Sequence, residues 1–107
     1  MANDYKNAKV DLTANTATVL YTAPAARTAV FKSILVSEDS GNADTITVTI
    51  TDAAAGVFSI FKVKAVGANG TVELLTQPLV VETGEIIKLT AATANRLHVV
   101  ASFMEIS

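Results

Sequence analysis

The chain has 107 residues, half of them apolar and 17% charged, with a net charge of −2 and no cysteine. That length specifies one domain around one core, and the slightly acidic balance argues against a nucleic-acid binder, which would show a basic face or stripe. The absence of cysteine excludes disulfides and thiolate chemistry and leaves the redox compartment unread.

Four Phe, two Tyr and no Trp leave the core to Val, Ile, Leu and Ala, with abundant Thr beside them. β-branched residues favour pleated, half-buried surfaces. Charge below the usual 25% or so points to a surface that another chain partly covers. Lys32, Lys62, Lys64 and Lys88 are scattered and form no run. The opening "MANDYKNAKVDLT" has no apolar signal core, and no apolar run reaches the roughly 20 residues of a membrane span. The expectation is a protein made soluble in a cytoplasm that meets neither membrane nor nucleic acid.

Residues 1–7 read as a flexible polar arm, and 8–107 as a single domain. "AKVDLT" (Ala8–Thr13) is a first strand with Val10 and Leu12 on one face. "ATVLYT" (Ala17–Thr22) is a second, stopped by Pro24, which lacks the donor a central ladder needs. "TAVFKSILVSE" (Thr28–Glu38) is the longest. Strict alternation there sets Val30, Lys32, Ile34 and Val36 against Phe31, Ser33 and Leu35. Such mixed faces predict a bulge or bend near Lys32–Ser33.

"DSGNAD" (Asp39–Asp44) is a loop by composition. "TITVTIT" (Thr45–Thr51) alternates threonine with Ile46, Val48 and Ile50, and "DAAAG" (Asp52–Gly56) turns the chain. "VFSIFKVKAV" (Val57–Val66) is a strand, and "GANG" (Gly67–Gly70) holds the Asn-Gly hairpin signal. "TVELL" (Thr71–Leu75) is short. "PLVVETGEIIKLTA" (Pro78–Ala91) reads as strand, turn, strand, with Gly84 in the turn. After the loop "ATANR" (Ala92–Arg96), "LHVVASFMEI" (Leu97–Ile106) closes the domain. Eight or nine short strands, short loops and no helix specify an all-β, antiparallel two-sheet sandwich of jelly-roll type, ahead of a closed barrel.

Catalytic signals are weak. The one histidine, His98, shares a face with Val100 and Ser102 and reads as a partly covered sheet residue. No serine sits in a nucleophile elbow. A single histidine cannot build the multi-histidine metal site of a jelly-roll enzyme. "EDSGNAD" (Glu38–Asp44) offers three carboxylates to a cation, but its spacing is not that of an EF-hand and it reads as a solvated loop. Glu82 and Glu85 flank a turn and read as charge that keeps it wet. The chain is expected to be no enzyme and to need no cofactor or metal.

The threonine ladder Thr45, Thr47, Thr49 and Thr51 reads as the outer face of a sheet. Carrying little charge to desolvate, it also suits docking against another subunit. The strand ending "YTAPA" (Tyr21–Ala25), the run "PLVVETGEIIKLTA" and the closing "ATANRLHVVASFMEI" (Ala92–Ile106) resemble small structural proteins of tailed bacteriophages, and the resemblance spans nearly the whole chain after its first residues. It implies a virion part and leaves open capsid decoration, a tail or neck component or a piece of a fibre; the small single domain, the low charge and the lack of an active-site motif favour a part that decorates or cements the capsid. Such a part binds the major capsid protein or other virion subunits at shell junctions, as a dimer or trimer. A tail or neck component is the alternative. A carbohydrate-binding β-sandwich is a third reading, opposed by the lack of tryptophan. Contacts are expected at Tyr5 and Lys6 on the arm, at Glu38, Asp39, Asn42 and Asp44, and at the loop tips Asn69 and Arg96, because loops and termini carry recognition.

Overall fold

The computed structural model describes residues 3–107. It resolves nine strands: β1 (Asn3–Asp11), β2 (Thr18–Thr22), β3 (Thr28–Glu38), β4 (Asp44–Thr51), β5 (Val57–Val66), β6 (Thr71–Glu73), β7 (Leu79–Val81), β8 (Ile86–Ala91) and β9 (Leu97–Ile106). Among the described residues there is no helix. Asn3–Asn7, expected to belong to a flexible arm, are instead the first half of β1 and pair with β9. Met1 and Ala2 lie outside the described residues.

The pairing is antiparallel and nested. β4 pairs with β5, β3 with β6 and β7, β2 with β8, and β1 with β9. The chain is thus folded in half about the turn at 52–56. The doubled ribbon is then joined side by side through β3–β9 and β4–β8. One sheet runs β1-β9-β3-β6, with β7 sharing the β6 side of β3, and the other runs β2-β8-β4-β5. This is the jelly-roll order, eight strand positions in two packed sheets.

The central turn has a local cause. Asp52 Oδ1 accepts the N–H of Ala54 at 3.0 Å and of Gly56 at 2.8 Å, an Asx-type turn. A Cβ on Gly56 would lie 3.1 Å from the Asp52 carboxylate, so a larger residue there would disturb the turn.

Inward residues of both sheets meet in one core. Phe31, Ile34, Ile46, Ile87, Leu89 and Leu97 are among its fully buried members. Each contributes about 1.5–3 kcal/mol by leaving water. Phe31 stacks on Phe103 at 4.6 Å, and Tyr21 tilts against both rings at 5.2 and 4.6 Å.

The mixed faces of β3 are resolved by a bulge. Its ladder with β9 shifts between Phe31 and Ser33, leaving Lys32 as an exposed extra residue. Ile34 and Val36 therefore share the core face with Phe31, where uninterrupted alternation would have set them on the opposite side. Beside the bulge, β6 and β7 leave a gap along β3. The Glu73 carboxylate fills it, accepting the N–H of Ile34 at 2.8 Å and of Leu75 at 3.2 Å together with the Ser33 hydroxyl. Burial raises the Glu73 pKa, but the Ser33 hydroxyl and these N–H groups outweigh it and hold the carboxyl below its ordinary value.

Deleting Lys32 removes the bulge while keeping Phe31, Ile34 and Val36 in phase, so the shortened chain should keep a cooperative urea transition followed by circular dichroism. Deleting Leu35 turns Val36 and Glu38 outward and should abolish that transition.

Candidate interaction site

The loops after β1, β3, β5 and β8 gather at one end of the sandwich. Leu12 accepts the N–H of Asn95, Ala43 accepts a guanidinium N–H of Arg96, and Thr93 N–H donates to Asp44. Six of the residues expected to make contacts meet here: Glu38, Asp39, Asn42, Asp44, Asn69 and Arg96. Glu38 organises them from within. It is 2% exposed, at the end of β3. Its Oε1 accepts N–H groups of Gly41 at 3.0 Å, Asn42 at 3.1 Å and Asn69 at 3.0 Å. Its Oε2 accepts the Ser40 N–H at 2.8 Å and the Ser40 hydroxyl. Gly41 and Asn69 adopt the left-handed backbone, φ 83 and 55, that these turns require.

Desolvation pushes the Glu38 pKa up, but the Ser40 hydroxyl and the N–H groups of Asn69, Ser40 and Gly41 outweigh it and hold the value down to about 2. Glu38 and the buried Asp44 thus brace this end from inside, and Asp39, Asn42, Asn69 and Arg96 form its surface. Glu38 spends its oxygens on backbone donors. That arrangement splints two loops and leaves "EDSGNAD" without a convergent ligand set. Among the described residues no group of three or more His, Asp or Glu side chains is placed to hold a metal ion.

Tyr5 and Lys6 lie on β1, away from those loops. Lys6 belongs to a second cluster built on Glu105, whose side chain is 4% exposed on the core face of β9. Tyr21 Oη donates to Glu105 Oε2 at 2.6 Å, Lys6 Nζ reaches Oε1 at 2.9 Å, and Arg27 reaches Oε1 at 3.3 Å and Asp4 at 3.1 Å. Tyr21 comes from one sheet and Glu105 from the other, so a part-buried charge-assisted hydrogen bond joins the two layers. The Tyr21 bond, then Lys6 and Arg27, hold the Glu105 carboxyl below its ordinary pKa. Burial and the Glu105 partner push the Tyr21 phenol up. The sequence reading did not single out Glu105. The signal was its phase, shared with Leu97, Val99, Ala101 and Phe103, because a carboxylate on a core-facing phase requires buried partners.

The two outer faces differ. On the first sheet, Tyr5, Met104, Val30 and Val80 lie side by side across four strands. Tyr5 is 80% exposed and Val80 is 52% exposed. A parallel row sets Lys9, Val100 and Leu35 beside Glu73. On the second sheet the threonines of β4 are half-buried, with Thr47 opposite Thr90 and Thr49 opposite Lys88. Thr47 Oγ1 accepts the N–H of Val63 at 3.1 Å. The buried hydroxyl of Thr51 has no hydrogen-bond partner among the described residues.

His98 is half-exposed at the loop end of the first sheet. Asp11 lies 3.3 Å from its Nε2 and Asp39 lies 3.3 Å from its Nδ1. Ser37 is its neighbour on β3. Both ring nitrogens face carboxylates, so neither is turned to take a proton from the serine as a triad requires. Glu85 accepts the N–H of Glu82 at 2.8 Å, which commits it to their own turn. No protein-family model matches the chain, and no significant match to it is found among the curated proteins.

Glu38 has a folded pKa near 2 against an ordinary 4.5, so its contribution to stability is complete above about pH 4.5 and is lost as pH falls toward 2. Glu38→Gln should lower the urea midpoint at pH 7 and flatten its decline across that window. Thr51→Val replaces an unpartnered hydroxyl with a methyl and should raise stability by about 1 kcal/mol, read as a higher urea midpoint at unchanged slope.

Proposed function

We propose that this protein is a structural subunit of a tailed-bacteriophage particle that decorates or cements the capsid at junctions between shell subunits. The observation that carries the reading is the uncharged row Tyr5, Met104, Val30 and Val80 across an outer sheet face. A face of this kind works by adhesion. Each Å² of apolar surface removed from water contributes about 25 cal/mol, and a row without charges has little to desolvate. The threonine face, which includes Lys88, adds a second surface rich in hydroxyls, and the splinted loops carrying Asp39, Asn42, Asn69 and Arg96 add polar contacts at one end of the sandwich. The resemblance of "YTAPA", "PLVVETGEIIKLTA" and the closing strand to small virion proteins supplies the particle.

Sugar binding has less support. The exposed aromatics Tyr5 and Phe58 belong to different sheets and form no joint stacking platform.

Mass spectrometry of purified virions should find the protein, and cryo-electron microscopy should place it on the shell. The double variant Tyr5→Asp, Val80→Asp should bind particles about tenfold or more weakly with its melting curve little changed. Absence of the protein from the particle overturns the reading. Density confined to the tail or neck reassigns it there.

A further inference from the structure

A sheet edge that exposes unpaired backbone groups recruits another strand unless something blunts it. Three of the edges here are blunted. β2 has five residues and a ladder that slips between Val19 and Tyr21. β6 and β7 have three residues each. β5 is long, but its ladder shifts twice, and Val63 sits at φ 53 between Lys62 and Lys64. β1 has no such break. Its nine residues run from Asn3 opposite Ile106 to Asp11 opposite His98 without a register shift or a proline.

The direction of the β1 backbone groups follows from one bond. Leu12 N–H donates to the Leu97 carbonyl at 3.0 Å. By antiparallel alternation Val10, Ala8, Lys6 and Asp4 also point at β9. Asn3, Tyr5, Asn7 and Lys9 therefore turn their N–H and C=O groups to the outer edge, where no further strand of the sheet follows.

We propose that this edge is taken up by β1 of a second copy of the chain, running antiparallel about a two-fold axis at Asn7. Charge and register select that occupant. β1 carries Asp4 and Asp11 against Lys6 and Lys9, so two such strands do not repel. With Asn7 opposite Asn7, all nine residues overlap and the outward backbone groups of each copy meet those of the other. On the outer face, Tyr5 then lies across from Lys9 of the second copy, which sets an ammonium against an exposed ring. Asn3 lies across from Asp11, and no like charges are opposed. An axis at Lys6 or at Lys9 would set two ammonium groups face to face. The lysine heads do not block approach, because Lys6 is held by Glu105 at 2.9 Å and Lys9 by Asn7 at 3.2 Å. In the pair, the two five-stranded sheets become one. The Tyr5–Met104–Val30–Val80 row of one copy then continues into the Lys9–Val100–Leu35 row of the other.

This dimer rests on the proposed assembly role for its purpose, and on the edge geometry for its existence. Particle association reads the role, whereas solution mass and cross-linking read the dimer, so either can fail alone. Mass photometry and sedimentation of the full chain should give twice the chain mass at micromolar concentration. Asn7→Pro removes the outward donor at the axis while leaving the β9 ladder intact, and should give a monomer with an unchanged β-sheet dichroism spectrum. Because the chain has no cysteine, Asn7→Cys should form a disulfide-linked dimer on mild oxidation, while Val57→Cys on β5 should not. A wild-type monomer under these conditions overturns the proposal. So does a dimer that persists in Asn7→Pro and gives no link through Asn7→Cys. If Asn7→Pro fails to fold, the cysteine pair decides alone: the link at residue 7 supports the dimer, and its absence overturns it.

Discussion

Antiparallel pairing between the two halves of the chain is the constraint on which the rest of the molecule depends. Once Asp52 and Gly56 turn the backbone, β4 lies on β5, and each earlier strand meets a later one at increasing sequence distance, out to β1 on β9. A ribbon built this way satisfies its backbone groups sideways but leaves one face of each half apolar. Rolling the ribbon so that those faces meet buries Phe31, Ile46, Ile87 and Leu97 in one core. The cost is loop closure over long separations, since β1 and β9 span almost the whole chain and must be brought together before their contacts contribute.

Two of the buried carboxylates sit where elements distant in sequence converge. Glu38 lies where β3 leaves its sheet, and its oxygens absorb the N–H groups that two tight loops would leave unpaired. Glu105 lies near the end of the last strand, where β1, β2 and the β2–β3 turn converge, and it draws Lys6, Tyr21 and Arg27 onto one charge. Each is a charge in a place that ordinarily excludes charge, and each is tolerated because its acceptor sites are filled. Both stitch elements distant in sequence.

Much of the sheet architecture was legible as alternation. Val10 and Leu12, the threonines of β4 and the phase of Leu97, Val99 and Ala101 each assign a face from spacing alone, because successive side chains in a strand point to opposite sides. The conflict of phase between Phe31 and Ile34 marked the bulge before any coordinates. The opening residues were misread because "NDYKN" has too little apolar content to announce a strand. It is held by backbone pairing to β9, which composition does not report. Glu38 and Asp44 were legible as acidic loop-edge residues but not as buried ones, since only the folded loops bring Gly41, Asn42, Asn69 and Thr93 to their oxygens.

The amino-acid order by itself determined the strands from Ala8 onward, the turns and which face of most strands is apolar, because those properties depend on neighbours two to four residues apart. Strand order, the meeting of Tyr21 with Glu105 and the survival of β1 as the one unbroken edge were decided only in three dimensions. They depend on which distant strands lie side by side, and local spacing carries no record of that.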